Sequence, residues 1–369
     1  MRTKFPGGLL LVMLLASAGL APGAELSIQT IESGPLEASE ILPLDKLPGE
    51  WEEAYWLVGD EKEIEGNLRL LVRERNNATW KLKLVAATVS PPGMKTDDTE
   101  ALGRYQGYVY AFGSHFGKKQ GPLELDRQFV ARFREPEFEG ATAPNVTIEI
   151  GRISFELHRV INDALRSRAV PVIGLREKTA ELMAKPIKKL STEDQSRIRP
   201  GDAPLNFEAV AILESGEVLI GLRFPVSAEG HPILLRVTGI ESLFGPAATP
   251  LEVTGAWVLE SAGSSGQLMG FRGMAVDNGW IDAIVGSIER ETDGDGDPSA
   301  LAEDYPAGNH AVALHVGIAL NDLKAGPVLL AETIRRFEGK AIESIAVTPR
   351  GARYVVDGAE DVEVLSTTE

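Results

Sequence analysis

Residues 99–113 read TEALGRYQGYVYAFG, and residues 207–221 read FEAVAILESGEVLIG. In both stretches a Glu stands second and a Gly stands fifteenth, and a turn that contains Gly separates two apolar runs. Two short apolar runs joined by a Gly-bearing turn are typical of a β-hairpin. The repeat therefore predicts a fold that is built from similar hairpins.

Three further copies of this pattern are present in the chain. Residues 342–356 carry Glu343 in the second place, and Gly351 follows it by eight positions. A weaker copy begins at Phe271, with Arg272 in the place of the Glu, and another opens with Glu37. Sheets repeated around a central axis are the simplest architecture for such a series. We therefore expect an all-β fold, a single β-propeller with six blades.

One segment departs from the β pattern. Residues 155–168 and 177–190 carry apolar side chains at helical spacing, including Leu157, Ile161 and Leu165. We expect a helical insertion at residues 155–190 that replaces or decorates a blade. No linker or change of composition divides the chain, so residues 25–369 are predicted to form one propeller domain.

The first 24 residues have the features of a signal peptide. Arg2 and Lys4 give a basic start, an apolar run follows at residues 9–15, and small residues fill positions 16–24. The apolar run is short for a membrane-spanning helix. We expect cleavage in this region and export to the periplasm or the outside of a bacterium, with no stable membrane insertion of the mature chain.

Composition limits the classes of partner and cofactor. The chain has 369 residues, a formal net charge of −17, 38 Gly, 22 Pro and no Cys. An acidic surface opposes binding to nucleic acid and to anionic lipid. A chain of this length can bury a substantial core without disulfides. No Gly-rich phosphate loop is present, so we expect no organic cofactor.

The chain resembles a bacterial family of exported β-propellers catalogued as a domain of unknown function, which is itself similar to phytase-like esterase propellers. The resemblance rests on residues 98–101 with 113–115, on residues 206–209 with 221–225, and on the copies that contain Glu37 and Glu343. It spans about Glu37 to Val356. It implies a propeller fold and an exported location, and it supplies no established reaction.

The repeated Glu is the main candidate for function, because equivalent positions in a propeller converge on the central channel. The expected channel residues are Glu37, Glu100, Glu208, Arg223, Arg272 and Glu343. Mutual repulsion of the carboxylates would raise their pKa values or recruit a cation, and calcium suits several oxygen ligands. Two alternatives remain open: the arginines neutralise the carboxylates, or each Glu satisfies backbone donors of a neighbouring blade.

His115 is a second candidate, since it lies at the end of a predicted inner strand and could contact a ligand at the channel mouth. A purely structural role is the alternative. Ser114 and His115 are neighbours on a strand and point to opposite faces, so they do not form a nucleophile and base pair.

An acidic loop is the third candidate. Asp293, Asp295 and Asp297 alternate with Gly, and Asp304 follows Asp293 by eleven positions. This spacing is similar to a calcium-binding EF-hand loop, but Pro298 stands where that loop requires Gly. A surface calcium site and a solvated acidic loop are both compatible with the pattern.

Three functions follow from these observations. The first is an exported propeller that binds a small molecule or a protein at the mouth of its channel without chemistry. The second is a calcium-dependent phosphoesterase or lactonase-like hydrolase in which Glu100, Glu208 and Glu343 hold the ion. The third is a structural envelope scaffold, which would tolerate mutation of the Glu ring.

Overall fold

Five sheets succeed one another along the described chain, and their strand pairs are antiparallel except for β6 with β10 and β14 with β18. The computed structural model describes residues 25–34, 36–60, 63–138, 142–262, 267–288, 299–306, 312–357 and 361–367. The first strands are β1 (Leu26–Glu32), β2 (Ala38–Pro43), β3 (Trp51–Gly59), β4 (Arg69–Glu74), β5 (Trp80–Leu84), β6 (Ala86–Ser90), β7 (Thr99–Tyr105), β8 (Tyr108–Gly113), β9 (Val130–Arg134) and β10 (Asn145–Ile150). The later strands are β11 (Asn206–Ile212), β12 (Val218–Phe224), β13 (Ile233–Thr238), β14 (Glu252–Leu259), β15 (Met269–Asp277), β16 (Trp280–Ser287), β17 (Val312–Ala319), β18 (Val328–Leu329), β19 (Glu332–Glu338), β20 (Ile342–Thr348), β21 (Gly351–Asp357) and β22 (Asp361–Thr367).

Helices occupy the connections. They are α1 (Ile64–Asn67), α2 (Glu156–Ser167), α3 (Glu177–Ala184), α4 (Thr192–Arg197) and α5 (Ala300–Asp304), with 3-10 turns at Leu125–Arg127, Ile240–Leu243 and Leu320–Lys324. In the described part of the chain, no helix has both the length and the apolarity needed to cross a membrane.

Each sheet is one blade of a propeller. From the inside outward, the strand orders are β2-β3-β4-β5 in blade one, β7-β8-β9-β10-β6 in blade two, β11-β12-β13-β14-β18 in blade three, β15-β16-β17-β19 in blade four and β20-β21-β22-β1 in blade five. The innermost strands contact one another in sequence around the ring, and β2 contacts β20 where the ring closes. The expected all-β propeller is confirmed.

The expected number of six blades is wrong, because five sheets close the ring. The segment between β10 and β11, where a helical insertion at residues 155–190 was expected to replace or decorate a blade, forms three helices and adds no strand to a named sheet. The helical segment therefore decorates the propeller between blades two and three.

The ring closes without a covalent link. Strand β1, from the start of the described chain, pairs antiparallel with β22 near its end, over seven residue pairs from Leu26–Thr367 to Glu32–Asp361. Blade five thus contains strands from near both ends of the described chain. This pairing prevents the first and last blades from separating, since either end must leave the sheet for the ring to open.

Apolar side chains fill the spaces between neighbouring blades. Trp56 and Phe133 pack between blades one and two, and Phe112 and Phe207 pack between blades two and three. Equivalent clusters lie at the other three junctions. Each strand contributes alternate side chains to these layers, as expected for sheets covered on both faces.

A sixth apolar cluster lies outside the blades. It joins the loop that follows β8 to α3 and α5, and its members include Phe116, Leu182, Phe224, Leu301 and Tyr305. This cluster fixes the helical segment at the end of the ring where β8, β12 and β16 end and the innermost strands begin. We call the assembly of α3, α5 and residues 114–125 the helical cap.

Candidate functional site

Each innermost strand contains a β-bulge at the same place. In each blade one residue interrupts the pairing with the second strand. From blade one to blade five these residues are, in order, Ser39, Glu100, Glu208, Arg272 and Glu343. A bulge adds one unpaired residue, bends the strand and redirects the side chain. Because the innermost strands surround the axis, the five bulges direct their side chains toward one end of the channel.

A cavity of about 270 Å³ lies at this end of the channel, and all five bulge residues line it. Its carboxylates belong to Glu37, Asp60, Asp98, Glu100, Glu208 and Glu343, and its cationic groups to Lys119, Arg127, Arg223 and Arg272. The lining thus holds six acidic and four basic side chains. The structure brings together six of the sequence-predicted channel residues here, with four charged residues that the sequence analysis did not assign to the site.

Two arginines neutralise one side of the cavity. Arg223 forms an ion pair with Glu208, and Arg272 lies 3.4 Å from the other carboxylate oxygen of Glu208. Arg272 also donates to both oxygens of Glu343, at 3.0 and 2.8 Å. Burial raises the pKa of Glu208, while Arg223 and Arg272 oppose that rise. Internal neutralisation, one of the two open alternatives, therefore describes Glu208 and Glu343.

The other side of the cavity is acidic. Oxygen atoms of Asp60, Asp98 and Glu100 all lie within 4.8 Å of one another. Within the described residues, Glu100 forms no hydrogen bond and no ion pair. Desolvation raises the pKa of Glu100 well above its usual value, the nearby carboxylates of Asp98, Glu208 and Asp60 raise it further, and the charge of Arg223 opposes the rise. The surroundings of Glu100 therefore disfavour its ionised form.

Backbone hydrogen bonds hold Asp60 and Asp98 in place. Asp60 directly follows β3, and its N–H donates to the carbonyl of Glu37 at 3.1 Å. Asp98 directly precedes β7, has a φ of 63°, and donates its N–H to the carbonyl of Asp60 at 3.3 Å. The side chain of Asp98 accepts from Arg127 at 2.8 Å and from Ser114. The acidic side is therefore built at the junction of blades one and two.

Sequence reasoning did not assign Asp60 and Asp98 to the site, although a signal for Asp60 was available. Gly59 and Gly113 pair with Ala38 and Thr99 at equivalent places in blades one and two. The residues after these glycines, Asp60 and Ser114, are therefore equivalent too. In each hairpin the end of the second strand pairs with the start of the first strand. A comparison of the second-strand ends between blades would therefore have placed Asp60 at the channel mouth.

Glu37 lines the cavity but does not occupy the bulge of blade one. Ser39 takes that place, two residues later in the chain, and Glu37 precedes the strand. Blade one therefore contributes a hydroxyl group where blades two, three and five contribute carboxylates.

His115 does not line the cavity. Its ring is buried, lies with its centroid 4.3 Å from that of Phe207, and has Nδ1 3.2 Å from the side-chain oxygen of Gln128. Burial lowers the pKa of His115 to about 3, so the ring is neutral at physiological pH. These contacts are those of a core residue between blades two and three.

Asp304 lies at the end of α5 and is buried. Its carboxylate accepts from the N–H and hydroxyl of Thr179, each at 2.8 Å, and from the N–H of Lys178 at 3.3 Å. It thus binds backbone donors of the first turn of α3, which stabilises a helix N-terminus. The other three residues of the predicted calcium loop, Asp293, Asp295 and Asp297, lie outside the described residues.

The helical cap forms one wall of the cavity. Phe116, Gly117 and Lys119 line the cavity from the loop that follows β8. The carbonyl of Lys119 accepts from the N–H of Ala300 at 2.8 Å, which joins this loop to α5. The cap thus encloses the site at the channel mouth on the side of blades two to four.

Comparisons with known proteins show similarity of fold only. No family model matches the chain, and no curated protein matches it. The endo-arabinase from Bacteroides thetaiotaomicron VPI-5482 is 12% identical over 92% of this chain and 96% of its own, with a TM-score of 0.38. The α-L-arabinanase from Cellvibrio cellulosa is 12% identical over 87% of this chain and 86% of its own, with a TM-score of 0.34. A GH43 protein from Bacillus licheniformis is 11% identical over 89% of this chain and 50% of its own, with a TM-score of 0.37.

Likenesses at this level carry no argument about activity. The similarity to exported and phytase-like propellers remains a prediction from the sequence.

Proposed function

We propose that the protein is an exported ligand-binding propeller whose site is the cavity at the mouth of its channel. The observation that carries this proposal is the convergence of the five bulge residues on one cavity. A bulge interrupts pairing in each innermost strand, and bulges occur preferentially where a fold directs side chains to a site.

The size of the cavity supports a small ligand. Its volume of about 270 Å³ is just below the range for drug-sized ligand sites, which is about 300–1,000 Å³. A folded partner protein would need a broad complementary surface instead. We therefore take the ligand to be a small polar molecule and not a protein segment.

The charge of the cavity supports a ligand with a positive centre. Glu208 and Glu343 form ion pairs with arginines, so their side of the cavity has little net negative charge. Asp60, Asp98 and Glu100 form the acidic side, where Glu100 has no direct protein partner among the described residues. A cationic group of the ligand, or a cation bound with it, would reduce the mutual repulsion of these carboxylates.

A calcium-dependent hydrolase is the second candidate, and the acidic side is the observation that favours it. Carboxylates with perturbed pKa values in a cavity are typical of acid, base or metal roles in catalysis. Phosphate esters and lactones are the substrates to test. The ion would involve Asp60, Asp98 and Glu100 and not the set Glu100, Glu208 and Glu343, because the last two bind arginines.

A thermal-shift screen tests the proposed function. The protein that starts at Glu25 is mixed with amines, amino acids, sugars and sugar acids, each in chelator and in calcium. Binding to the folded state raises the melting temperature. A ligand that stabilises this protein should lose its effect in Ala341→Phe, which places a ring at the cavity wall, and keep it in the exposed variant Glu260→Gln.

The same screen separates the alternatives. A compound that stabilises the wild type and Ala341→Phe equally binds elsewhere and contradicts the proposal. Turnover of a phosphate ester or lactone that Glu100→Gln abolishes would favour the hydrolase. Indifference of every assay to cavity variants would favour the structural scaffold.

A further inference from the structure

We propose that Asp60, Asp98 and Glu100, together with the side-chain oxygen of Asn206, form a site for a hard divalent cation, with calcium preferred. This inference deepens the proposed function, because it assigns the positive centre on the acidic side of the cavity to a metal ion. It replaces the ring of Glu37, Glu100, Glu208 and Glu343 that the sequence suggested with a different set of residues.

The spacing of the three carboxylates fits calcium. Calcium binds oxygen at about 2.3–2.6 Å, so two oxygens on the same ion are at most about 4.6–5.2 Å apart. Oxygen atoms of Asp60, Asp98 and Glu100 lie within 4.8 Å of one another. This upper bound is compatible with calcium and with magnesium. Magnesium demands a near-ideal octahedron and keeps several of its waters, whereas calcium accepts six to eight oxygen ligands, amide oxygens included, in flexible geometry. Carboxylates and an amide oxygen from several separate strands and loops therefore favour calcium.

Asn206 is the second, independent observation. Its side chain is 8% exposed and lines the same cavity. Its amide nitrogen lies 3.4 Å from a carboxylate oxygen of Glu208, while its amide oxygen has no hydrogen-bond partner in the described structure. A buried amide oxygen without a donor is costly, and an amide oxygen is an ordinary ligand of calcium. A cation in the cavity would remove that cost.

Two hydrogen bonds connect the strand that carries Asn206 to Asp98. The N–H of the next residue, Phe207, donates to the carbonyl of Ser114 at 2.7 Å. The hydroxyl of Ser114 in turn donates to Asp98. Blade three is thus joined to blade two beside Asp98, and Asn206 stands at that junction.

The charge balance leaves room for an ion. Arg127 and Ser114 both donate to Oδ2 of Asp98, and no hydrogen bond to Oδ1 is found among the described residues. The cavity lining holds six carboxylates and four cationic side chains, a formal excess of two negative charges that a divalent ion would balance. Lys119 lines the same cavity from the cap, so its ammonium group would compete with a bound cation.

The backbone already positions these ligands. The N–H of Asp98 binds the carbonyl of Asp60, and Glu100 is held by the bulge of β7. Ligands fixed before binding lose little conformational freedom when the ion enters. A site of this kind in an exported protein is expected to have a dissociation constant on the order of 10⁻⁴ to 10⁻³ M.

The test is a calcium titration of the protein that starts at Glu25, after treatment with chelator, followed by melting temperature. We expect calcium to raise the melting temperature in a saturable way and magnesium to do so more weakly. Glu100→Gln and Asn206→Leu should each weaken the apparent affinity at least tenfold, whereas Glu260→Gln should leave it unchanged. Lys119→Met should strengthen it, because the competing cation is removed.

A second variant set keeps the test decisive. Replacement of Asp293, Asp295 and Asp297 by Asn should leave the calcium effect on the melting temperature intact. Loss of the effect in that variant, with retention in Glu100→Gln, would overturn the proposal and assign calcium to the 293–297 segment. Absence of any calcium effect in the wild type would overturn it as well.

Failure of this inference and failure of the proposed function give different results. If calcium has no effect but a small ligand in chelator stabilises the wild type and not Ala341→Phe, only the metal site is wrong. If calcium binds and Glu100→Gln abolishes the effect, while no screened compound depends on the cavity, only the proposed function is wrong.

Discussion

Arg272 on the innermost strand of blade four donates to both carboxylate oxygens of Glu343 on the innermost strand of blade five, at 3.0 and 2.8 Å. Both residues occupy the bulge of their own strand. Arg272 is 6% exposed and also lies 3.4 Å from Glu208 of blade three. One arginine in the position of the repeated Glu therefore connects three blades and neutralises the carboxylates on that side of the cavity.

Replacement of this arginine is expected to destabilise the ring. Arg272→Met would leave the buried Glu208 with one cation in place of two and Glu343 without its partner. Loss of one member of a buried ion pair costs about 3–5 kcal/mol of unfolding free energy. Urea unfolding measures this loss. The double variant Arg272→Met with Glu343→Gln should recover much of it, and equal stability of Arg272→Met and wild type would contradict the account.

Glu100→Gln is expected to stabilise the protein in chelator, by a few degrees of melting temperature. The pKa of Glu100 is raised in the folded state, so the folded protein holds a proton that the unfolded chain releases above about pH 4.5. The wild type therefore loses stability from this group as the pH rises toward its folded pKa. The advantage of Glu100→Gln should be larger at pH 8 than at pH 5 in urea unfolding. An advantage that is larger at pH 5 would show that the carboxylate is stabilised by a partner.

Gly273→Ala tests the close packing of the innermost strands. A Cβ at Gly273 would lie 2.7 Å from the Cα of Ser344 and 2.8 Å from the carbonyl oxygen of Glu343. Both atoms belong to the backbone of the next blade, which cannot yield as a side chain does. We expect a loss of about 1–3 kcal/mol in unfolding free energy. Gly49→Ala is the matched control, since no atom lies within 4 Å of its added Cβ, and it should be neutral or slightly stabilising.

His115→Gln is expected to change how the free energy of unfolding depends on pH below about pH 7. The folded pKa of His115 is lowered to about 3, against about 6.5 in an unfolded chain. The unfolded state binds a proton first, so the stability due to a neutral His115 is complete above about pH 6.5 and is lost as the pH falls toward 3. Between pH 7 and pH 5 the wild type should lose about 1–2 kcal/mol more than the variant. Identical slopes in urea unfolding would indicate that His115 titrates normally.

The propeller was predictable from the sequence because every blade begins with a similar hairpin. Glu100, Glu208, Arg272 and Glu343 lie in the bulges of four blades, as the repeat placed them. The blade number was not predictable in the same way. Strand-like stretches outside the repeats, such as β6 and β18, join existing sheets as edge strands, and only the three-dimensional pairing shows this.

The site was only partly predictable, for a physical reason. Repeat positions identify what faces the channel, but they do not show which charges neutralise one another. Arg223 forms an ion pair with Glu208, and Arg272 forms one with Glu343. The remaining Glu100 lies beside Asp60 and Asp98. Asp60 and Asp98 are 38 residues apart in the chain and meet through one backbone hydrogen bond between blades, a contact that leaves no periodic signal.

A crystal structure of the protein that starts at Glu25, grown in calcium, tests the central claim most directly. The account predicts an ion in the cavity at about 2.3–2.6 Å from oxygen atoms of Asp60, Asp98, Glu100 and Asn206. The pair Arg272 and Glu343 should remain intact beside it. A cavity in which the Lys119 ammonium group binds these carboxylates, with no ion present at saturating calcium, would contradict the account.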